Sequence, residues 1–461
     1  MADPEQIEVP REDDAYALDA QAVRSVREAV EAGDAAALTV AMEPLHPADI
    51  ADLLEQLDAE VRHRLIALYG REFDGEILSE LDESIREDVI GALHPEVLTE
   101  AVRELDSDDV VDLLENVEDD ASQEAILGAL EASDRVAVEQ ALSYPEYSAG
   151  RLMQREVVTA PQHWTVGEAI DFMRGHDDLP EDFYHIVLVD PGHHPVAYVT
   201  LGKLMSSRRE VRLADITEET FRTIPVDQDE EDVAYAFNQY HLISAPVVDD
   251  AGRLVGVITI DDAMAILDEE HEEDILRLGG VGEESLADRT MLIVRRRFPW
   301  LAVNLVTAIL ASVVIAQFEA TIAAIVALAV LMPIVASMGG NAGTQSLTVA
   351  VRALATRDLT GANALRVIRR EVMAGAINGA AFAVIMGIVG VVWFGTPMLG
   401  LVIGIAMVIN LAVAGLAGIL VPLTLDKVGV DPALASGAFV TTVTDVVGFF
   451  AFLGLAAVML L

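Results

Sequence analysis

Hydrophobic positions change their rhythm twice along this 461-residue chain. Up to residue 145 they recur at three- and four-residue spacing, the period of amphipathic helices, without strand-like alternation. From residue 149 to 268, short β-branched runs take turns with helical stretches. Beyond Arg297 polar positions almost vanish, and apolar runs without Lys, Arg or His cover 298–318, 321–351, 372–425 and 432–461. A membrane span needs roughly 20 apolar residues, so the third run, 54 residues long, exceeds one helix. It divides at Gly395-Thr396-Pro397, where glycine and proline stop a helix. Five spans are therefore expected, after a soluble half long enough for two or three domains.

Both soluble segments repeat internally. Asp49-Ile50-Ala51-Asp52-Leu53-Leu54-Glu55 returns as Asp109-Val110-Val111-Asp112-Leu113-Leu114-Glu115, and Leu45-His46-Pro47 returns as Leu93-His94-Pro95. Short helices stacked into a superhelical solenoid satisfy that pattern. His46 and His94, each followed by proline, are expected as helix caps and not as metal ligands. In the second segment, strands at 157–161, 185–190 and 196–200 with a helix at 166–173 are echoed by strands at 221–225, 245–249 and 252–259 with a helix at 233–239. This order resembles a tandem pair of CBS domains, α/β modules that often bind adenosine nucleotides. Their nucleotide-contacting pattern, Gly-apolar-apolar-Thr-x-x-Asp, is met at Gly256, Thr259 and Asp262. The first copy has Thr200 but Lys203 in place of the Asp. The resemblance thus implies a nucleotide site, if any, at Thr259 and Asp262.

Charge is as uneven as hydropathy. Residues 1–290 hold 70 Asp and Glu against 20 Lys and Arg, whereas residues 291–461 hold 6 against 9. Lys203 and Lys427 are the only lysines. An acidic, lysine-poor surface fits a prokaryotic, halophilic host, where salt screens the self-repulsion. Divalent-cation binding is the functional alternative, so an acidic residue is a candidate only where its placement argues for it. Arg352, Arg357, Arg366, Arg369 and Arg370 lie between spans two and three, and Lys427 between four and five. The positive-inside bias then makes those loops and the N-terminus cytoplasmic and the C-terminus extracellular, in a multi-pass plasma-membrane protein. The polar, acidic start is not a cleavable signal peptide, and the first ~18 residues are expected to be disordered. Lacking cysteine, the chain has no disulfide, thiolate nucleophile or Cys-based zinc site.

Asp445 is the one ionisable side chain in the last thirty residues. A carboxylate at membrane depth is costly and marks a functional site. The four apolar runs contain no Lys, Arg or His, so the expected partner is a cation from outside the chain. Thr441, one helical turn away, either orients a hydrated ion or bonds back to its own helix. Span two is expected to break around Pro333 and Gly339-Gly340-Asn341-Ala342-Gly343. The freed carbonyls, with Asn341 and Gln345, would be hard oxygen donors of the kind Mg²⁺ and Ca²⁺ accept. Tight packing through small residues would account for the glycines but not for the amides. Asn304, Asn378 and Asn410 are expected to hydrogen-bond between helices.

Ahead of span one, Asp261, Asp262, Asp268, Glu269, Glu270, Glu272, Glu273 and Asp274 precede the first cation, Arg277. Such a run is ordinarily a solvated face. Its place beside the spans makes it a candidate for bridging by divalent ions, with Asp268, Glu269, Glu270 and Glu273 foremost.

Together these features are similar to the MgtE family of magnesium channels and transporters, over nearly the whole length and in the same order. The order is a helical N domain (1–145), a CBS pair (146–262), an acidic connecting plug helix (263–292) and a five-span α-helical pore domain (293–461). The most specific motifs are Pro333…Gly339-Gly340-Asn341-Ala342-Gly343-Thr344-Gln345 and Asp431-Pro432-Ala433-Leu434…Thr444-Asp445. The resemblance implies a multidomain homodimer in the lipid membrane, with two Asp445 carboxylates selecting Mg²⁺ around one pathway. Gly340 and Asn341 would line it beside Thr441, and Asp431 would lie at its cytoplasmic mouth. Some members carry Asn-Pro where Gly437-Ala438 stand here, which removes a side-chain ligand at the start of span five. Mg²⁺ uptake, closed by Mg²⁺ on the acidic domains, is the implied activity, with ATP the expected ligand of the CBS pair. Oxygen ligands would also serve Mn²⁺, Co²⁺ or Ca²⁺. A CBS-regulated, nucleotide-sensing anion transporter is the other alternative, set back by the absence of any intramembrane cation. One carboxylate without a second acid, base or ligand cluster is no catalytic set. Neither an enzyme nor a nucleic-acid partner is expected.

Overall fold

A computed structural model describes residues 18–117, 119–176, 179–180, 183–282 and 290–461. The expected disorder at the N-terminus falls, through residue 17, outside the described residues, as do residues 283–289 of the connecting segment. The chain forms two compact units, Met1–Asp268 and Glu269–Leu461.

Among the described residues, the N domain is ten helices running from Ala20–Ala32 to Ala132–Ala141. Part of the acidity goes into helix caps, with Asp19, Asp34, Asp58, Asp82 and Asp119 each accepting from a first-turn N–H. His46 and His94 cap as expected, their Nδ1 atoms accepting from Ala48 N at 3.3 Å and Glu96 N at 3.4 Å. The leucines of the repeated motif, Leu53, Leu54, Leu113 and Leu114, share one core. Arg62 and Arg86 are buried and stitch successive layers. They donate to Leu57 O at 3.0 Å and Leu81 O at 2.9 Å, and each reaches an aspartate 26 residues ahead, Asp88 at 3.3 Å and Asp112 at 2.7 Å. The shared reach makes the stack periodic.

The CBS pair is one small fold made twice. Strands β1 (Thr159–Pro161), β2 (His185–Val189) and β3 (Pro195–Thr200) form one sheet, and β4 (Ile224–Pro225), β5 (Ser244–Val248) and β6 (Leu254–Thr259) form the other. In each, a parallel pair precedes an antiparallel one, and helices Val166–Arg174 and Glu230–Tyr240 make the crossovers. The registers correspond: His185 pairs with Thr200, and Ser244 with Thr259. A helix, Ile260–Leu278, follows β6 directly.

Among the described residues, five helices are long and apolar enough to cross a membrane. They are span one (Thr290–Ala316), two (Ala327–Ala355), three (Ala364–Phe394), four (Pro397–Lys427) and five (Pro432–Met459). Gly395, at φ +68°, ends span three and Pro397 opens span four, as the sequence predicts. Span four is the hub of the bundle. Its most apolar window is 61% buried against 6% for span one, where Phe298, Leu301, Leu305 and Ile309 stay exposed.

Span two departs from expectation. A short helix, Glu319–Ala324, precedes it, and the interruption falls at residues 325–326. From there the helix is continuous through Pro333 and the glycines. Pro333 forfeits its own N–H bond and crowds the carbonyl of Ala329, yet the helix runs on through it. Gly339 and Gly343 serve close packing: a Cβ at Gly339 would overlap the Asn410 amide, and one at Gly343 would stand 2.6 Å from Val440 Cγ1.

Candidate functional site

Span five buries one face, Val440, Thr444, Gly448, Phe452 and Ala456, at four-residue spacing. Thr441 and Asp445 stand one position further on and are half-buried at the edge of that face. The threonines around Asp445 bond back to their own helix. Thr441 donates to Gly437 O at 3.0 Å or Ala438 O at 3.1 Å, Thr442 to Ala438 O at 2.5 Å, and Thr444 to Thr441 O at 2.9 Å. With their protons spent this way, the hydroxyl oxygens keep lone pairs that can face a cation.

Gly340 of span two faces this edge: a Cβ there would lie 3.8 Å from Thr441 Cγ2. Ser337, Asn341, Thr344, Gln345 and Thr348 are all exposed on span two, at helical spacing. Asn341 Nδ2 donates to Ser337 Oγ at 3.5 Å, and Thr344 and Thr348 donate to Gly340 O and Thr344 O at 3.0 Å. Amides and hydroxyls on a membrane helix are costly against acyl chains. This stripe calls for water, an ion or another polar surface. Of the three asparagines expected to tie helices, Asn410 does so, donating to Val335 O at 2.8 Å, whereas Asn304 and Asn378 are exposed.

Asp431 caps span five, its Oδ1 accepting from Ala433 N at 2.8 Å. Its Oδ2 accepts from Arg277 at 2.6 Å, and Arg277 also pairs with Glu273 one turn back. The sequence expectation had both carboxylates binding metal; in the structure they share a guanidinium. Leu278, in the same helical turn, packs with Leu347, Val351, Ala433 and Val440. Burial first, then Asp431, pushes the Asp274 carboxyl up. Asp268 and Glu269 are exposed and Glu270 is half-buried.

In the other unit, Asp262 Oδ2 accepts from Thr259 Oγ1 at 2.5 Å and from Thr259 N at 3.3 Å. Thr259 is buried. The Asp262 carboxyl lies among acids, with Asp106 and Asp261 adding to its charge environment. Burial lifts Asp262 to about 6, against the opposing hydrogen bond from Thr259. Burial, then Asp262 and Asp106, lifts Asp109 to about 7. Asp108, buried, is lifted well above the usual carboxylate range by the same burial and by Asp262. Sequence reasoning missed Asp108 and Asp109. Their motif stands out in the chain as a repeat, and the one signal was an acid at 108 where the first copy has Ala48. In the first CBS copy, Thr200 accepts from Lys203 N at 3.3 Å while Lys203 Nζ pairs with Glu218 at 2.9 Å. Among the described residues, no three His, Cys, Asp or Glu side chains converge as a metal-ligand set.

Comparison with known proteins agrees with this architecture. A family model described as a divalent cation transporter, MgtE, matches residues 332–455. The model of the MgtE intracellular N domain matches residues 45–147, and that of the CBS domain matches 149–210 and 213–269. The magnesium transporter MgtE of Thermus thermophilus is 36% identical over 442 residues, covering 95% of this chain and 98% of its own. That of Enterococcus faecalis is 34% identical over 69% of this chain and 71% of its own. Among solved structures, the cytosolic domain of the Mg²⁺ channel MgtE in complex with ATP matches 53% of this chain and 99% of its own. Its identity is 32% and its TM-score 0.50.

Proposed function

The chain belongs to the MgtE family of magnesium transporters, and from that premise we propose that it conducts Mg²⁺ inward, down the electrochemical gradient, as a homodimer. The pathway is lined by Asp445, Thr441, Gly340 and Asn341. One observation carries this reading: the exposed polar stripe of span two adjoins Gly340, which faces Thr441 of span five. Two protomers facing each other across that stripe would remove it from lipid and set two Asp445 carboxylates around one passage. Mg²⁺ gives up its water reluctantly and prefers one or two carboxylates with several waters retained. Carboxylates, amide oxygens and hydroxyls suit a hydrated ion held loosely enough to leave. An inside-negative potential contributes about 4.6 kcal/mol per 100 mV for a doubly charged ion. The positive-inside bias of the basic loops supports a cytoplasmic N-terminus and cytoplasmic acidic domains.

Closure by cytoplasmic Mg²⁺ is the second part of the reading. Without it, the run of Asp268, Glu269, Glu270 and Glu273 repels other acids of the cytoplasmic half. Bridging ions favour the arrangement in which these acids meet, a differential-affinity switch. ATP, bound by the related cytosolic domain, is the proposed ligand of the CBS pair at Thr259 and Asp262.

Mg²⁺ flux into proteoliposomes tests the pathway. Native protein should conduct, and Asp445→Ala should not; equal flux from both would remove Asp445 from the selectivity site. Adding Mn²⁺, Co²⁺ or Ca²⁺ as competitors ranks the other divalent ions. Neutralising Asp268, Glu269, Glu270 and Glu273 together should lift inhibition by Mg²⁺ on the domain side. Unchanged inhibition would sink the closing mechanism.

A further inference from the structure

Asn410 is wholly enclosed at the crossing of spans two, four and five. Its Nδ2 donates to Val335 O of span two at 2.8 Å. Its Oδ1 is buried without a hydrogen-bond donor among the described residues. The amide also occupies the space that two glycines leave open. A Cβ at Gly339 of span two would overlap it, and one at Gly448 of span five would lie 2.7 Å from Nδ2 and 2.9 Å from Cγ.

Space filling alone would be met by an apolar side chain of similar size, which would leave no polar atom unsatisfied. A buried amide that is only half satisfied is tolerated where it specifies one register among several. Here the register is legible from the positions it joins. Gly339 immediately precedes Gly340 and Asn341, and Gly448 lies three residues beyond Asp445. A single side chain of span four thus packs against span two and span five at the level where Gly340 faces Thr441. The two helices cannot slide or rotate past each other without a methylene or backbone atom meeting the amide.

We propose that Asn410 is a positioning residue for ion selectivity, holding the oxygen donors of span two at a set distance from Asp445. This rests on the reading of Asp445 and Gly340 as pathway residues. Sites of this kind lose discrimination when their supporting residues loosen by a fraction of an ångström, even where the scaffold still folds.

The test is proteoliposome flux with full-length Asn410→Leu, Gly448→Ala, Asn410→Ala and the Asn410→Ala/Gly448→Ala pair, each beside its thermal midpoint in detergent. Asn410→Leu should lower the preference for Mg²⁺ over Ca²⁺ by about threefold or more and raise the half-saturating Mg²⁺ concentration. Gly448→Ala alone should lower the thermal midpoint, because the added methyl meets the amide. Adding Asn410→Ala removes that collision, so the pair should recover its midpoint but not its selectivity. Recovery of both, or native selectivity in Asn410→Leu, would reduce Asn410 to a space filler and overturn the proposal. Asp445→Asn separates the two readings. If it changes selectivity while the Asn410 variants do not, the positioning role alone falls. If it changes nothing, the pathway reading falls first.

Discussion

The carboxylates of Asp262 and Asp445 stand in opposite surroundings. Asp262 sits among other acids, Asp106, Asp108, Asp109 and Asp261, in the half of the chain where acids far outnumber bases. Asp445 sits on an apolar helix whose uncharged neighbours include no basic residue. In the first setting the problem is burial and, after it, mutual repulsion, which a proton relieves as well as a metal ion, and pKa values near neutrality follow. In the second the problem is isolation, which an ion on a water-filled path relieves. One acid among 70 says little by its presence, whereas one in an apolar helix says a great deal.

The largest expected effect belongs to the isolated acid. Asp445→Ala should cut Mg²⁺ flux by about tenfold or more while leaving the thermal midpoint in detergent unlowered, since among the described residues Asp445 has no hydrogen-bond or ion-pair partner to lose. A variant that keeps its flux would make Asp445 a tolerated membrane acid and dissolve the contrast. Next comes the cluster. Asp108→Asn with Asp109→Asn should stabilise the Mg²⁺-free protein and abolish most of its stabilisation by Mg²⁺. A site at a hundred times its Kd stabilises by about 2.7 kcal/mol, so the difference is readable in melts with and without the ion.

A smaller effect is the pH dependence of the cluster. The ordinary value is 3.8, and the folded values are about 7 for Asp109 and about 6 for Asp262. The folded state therefore binds more protons between those limits, and its stability falls as pH rises through them. Without Mg²⁺, the melting of the soluble unit should move down between about pH 4 and about pH 7, and Asp109→Asn should flatten the slope. A rising midpoint would show that the carboxylates are not crowded. The smallest effect lies between the two regions in kind. Arg277→Gln removes a partly exposed ion pair and should cost less than about 1 kcal/mol. With Glu273 and Asp431 restored to full charge, closure should require less Mg²⁺; an unchanged closing concentration would place neither carboxylate in the ion-sensing set.

Much of the architecture was readable in the chain because its causes are local. His46 and His94 before prolines announce caps, and Gly395 and Pro397 announce a turn between spans. Backbone chemistry within a few residues decides both. The break expected in span two failed for the complementary reason. Pro333 and five small or polar residues read locally as a helix stop, yet Asn410 and Val440, supplied by other spans, make the glycines contact points in a continuous helix.

The sequence by itself determined the kinds of element, their order, the doubled CBS fold, the five spans and the singular placement of Asp445. Periodicity, capping and a charge in an apolar run are properties of neighbouring residues. Only the tertiary structure decided that Asn410 is the enclosed asparagine, and that span two turns Ser337, Asn341 and Gln345 outward. It alone brought Arg277 to Asp431 across 154 residues, and Asp108 to Asp262. Burial, close packing and Coulomb repulsion act between groups distant in sequence, and their strength depends on how much water the fold removes from between them.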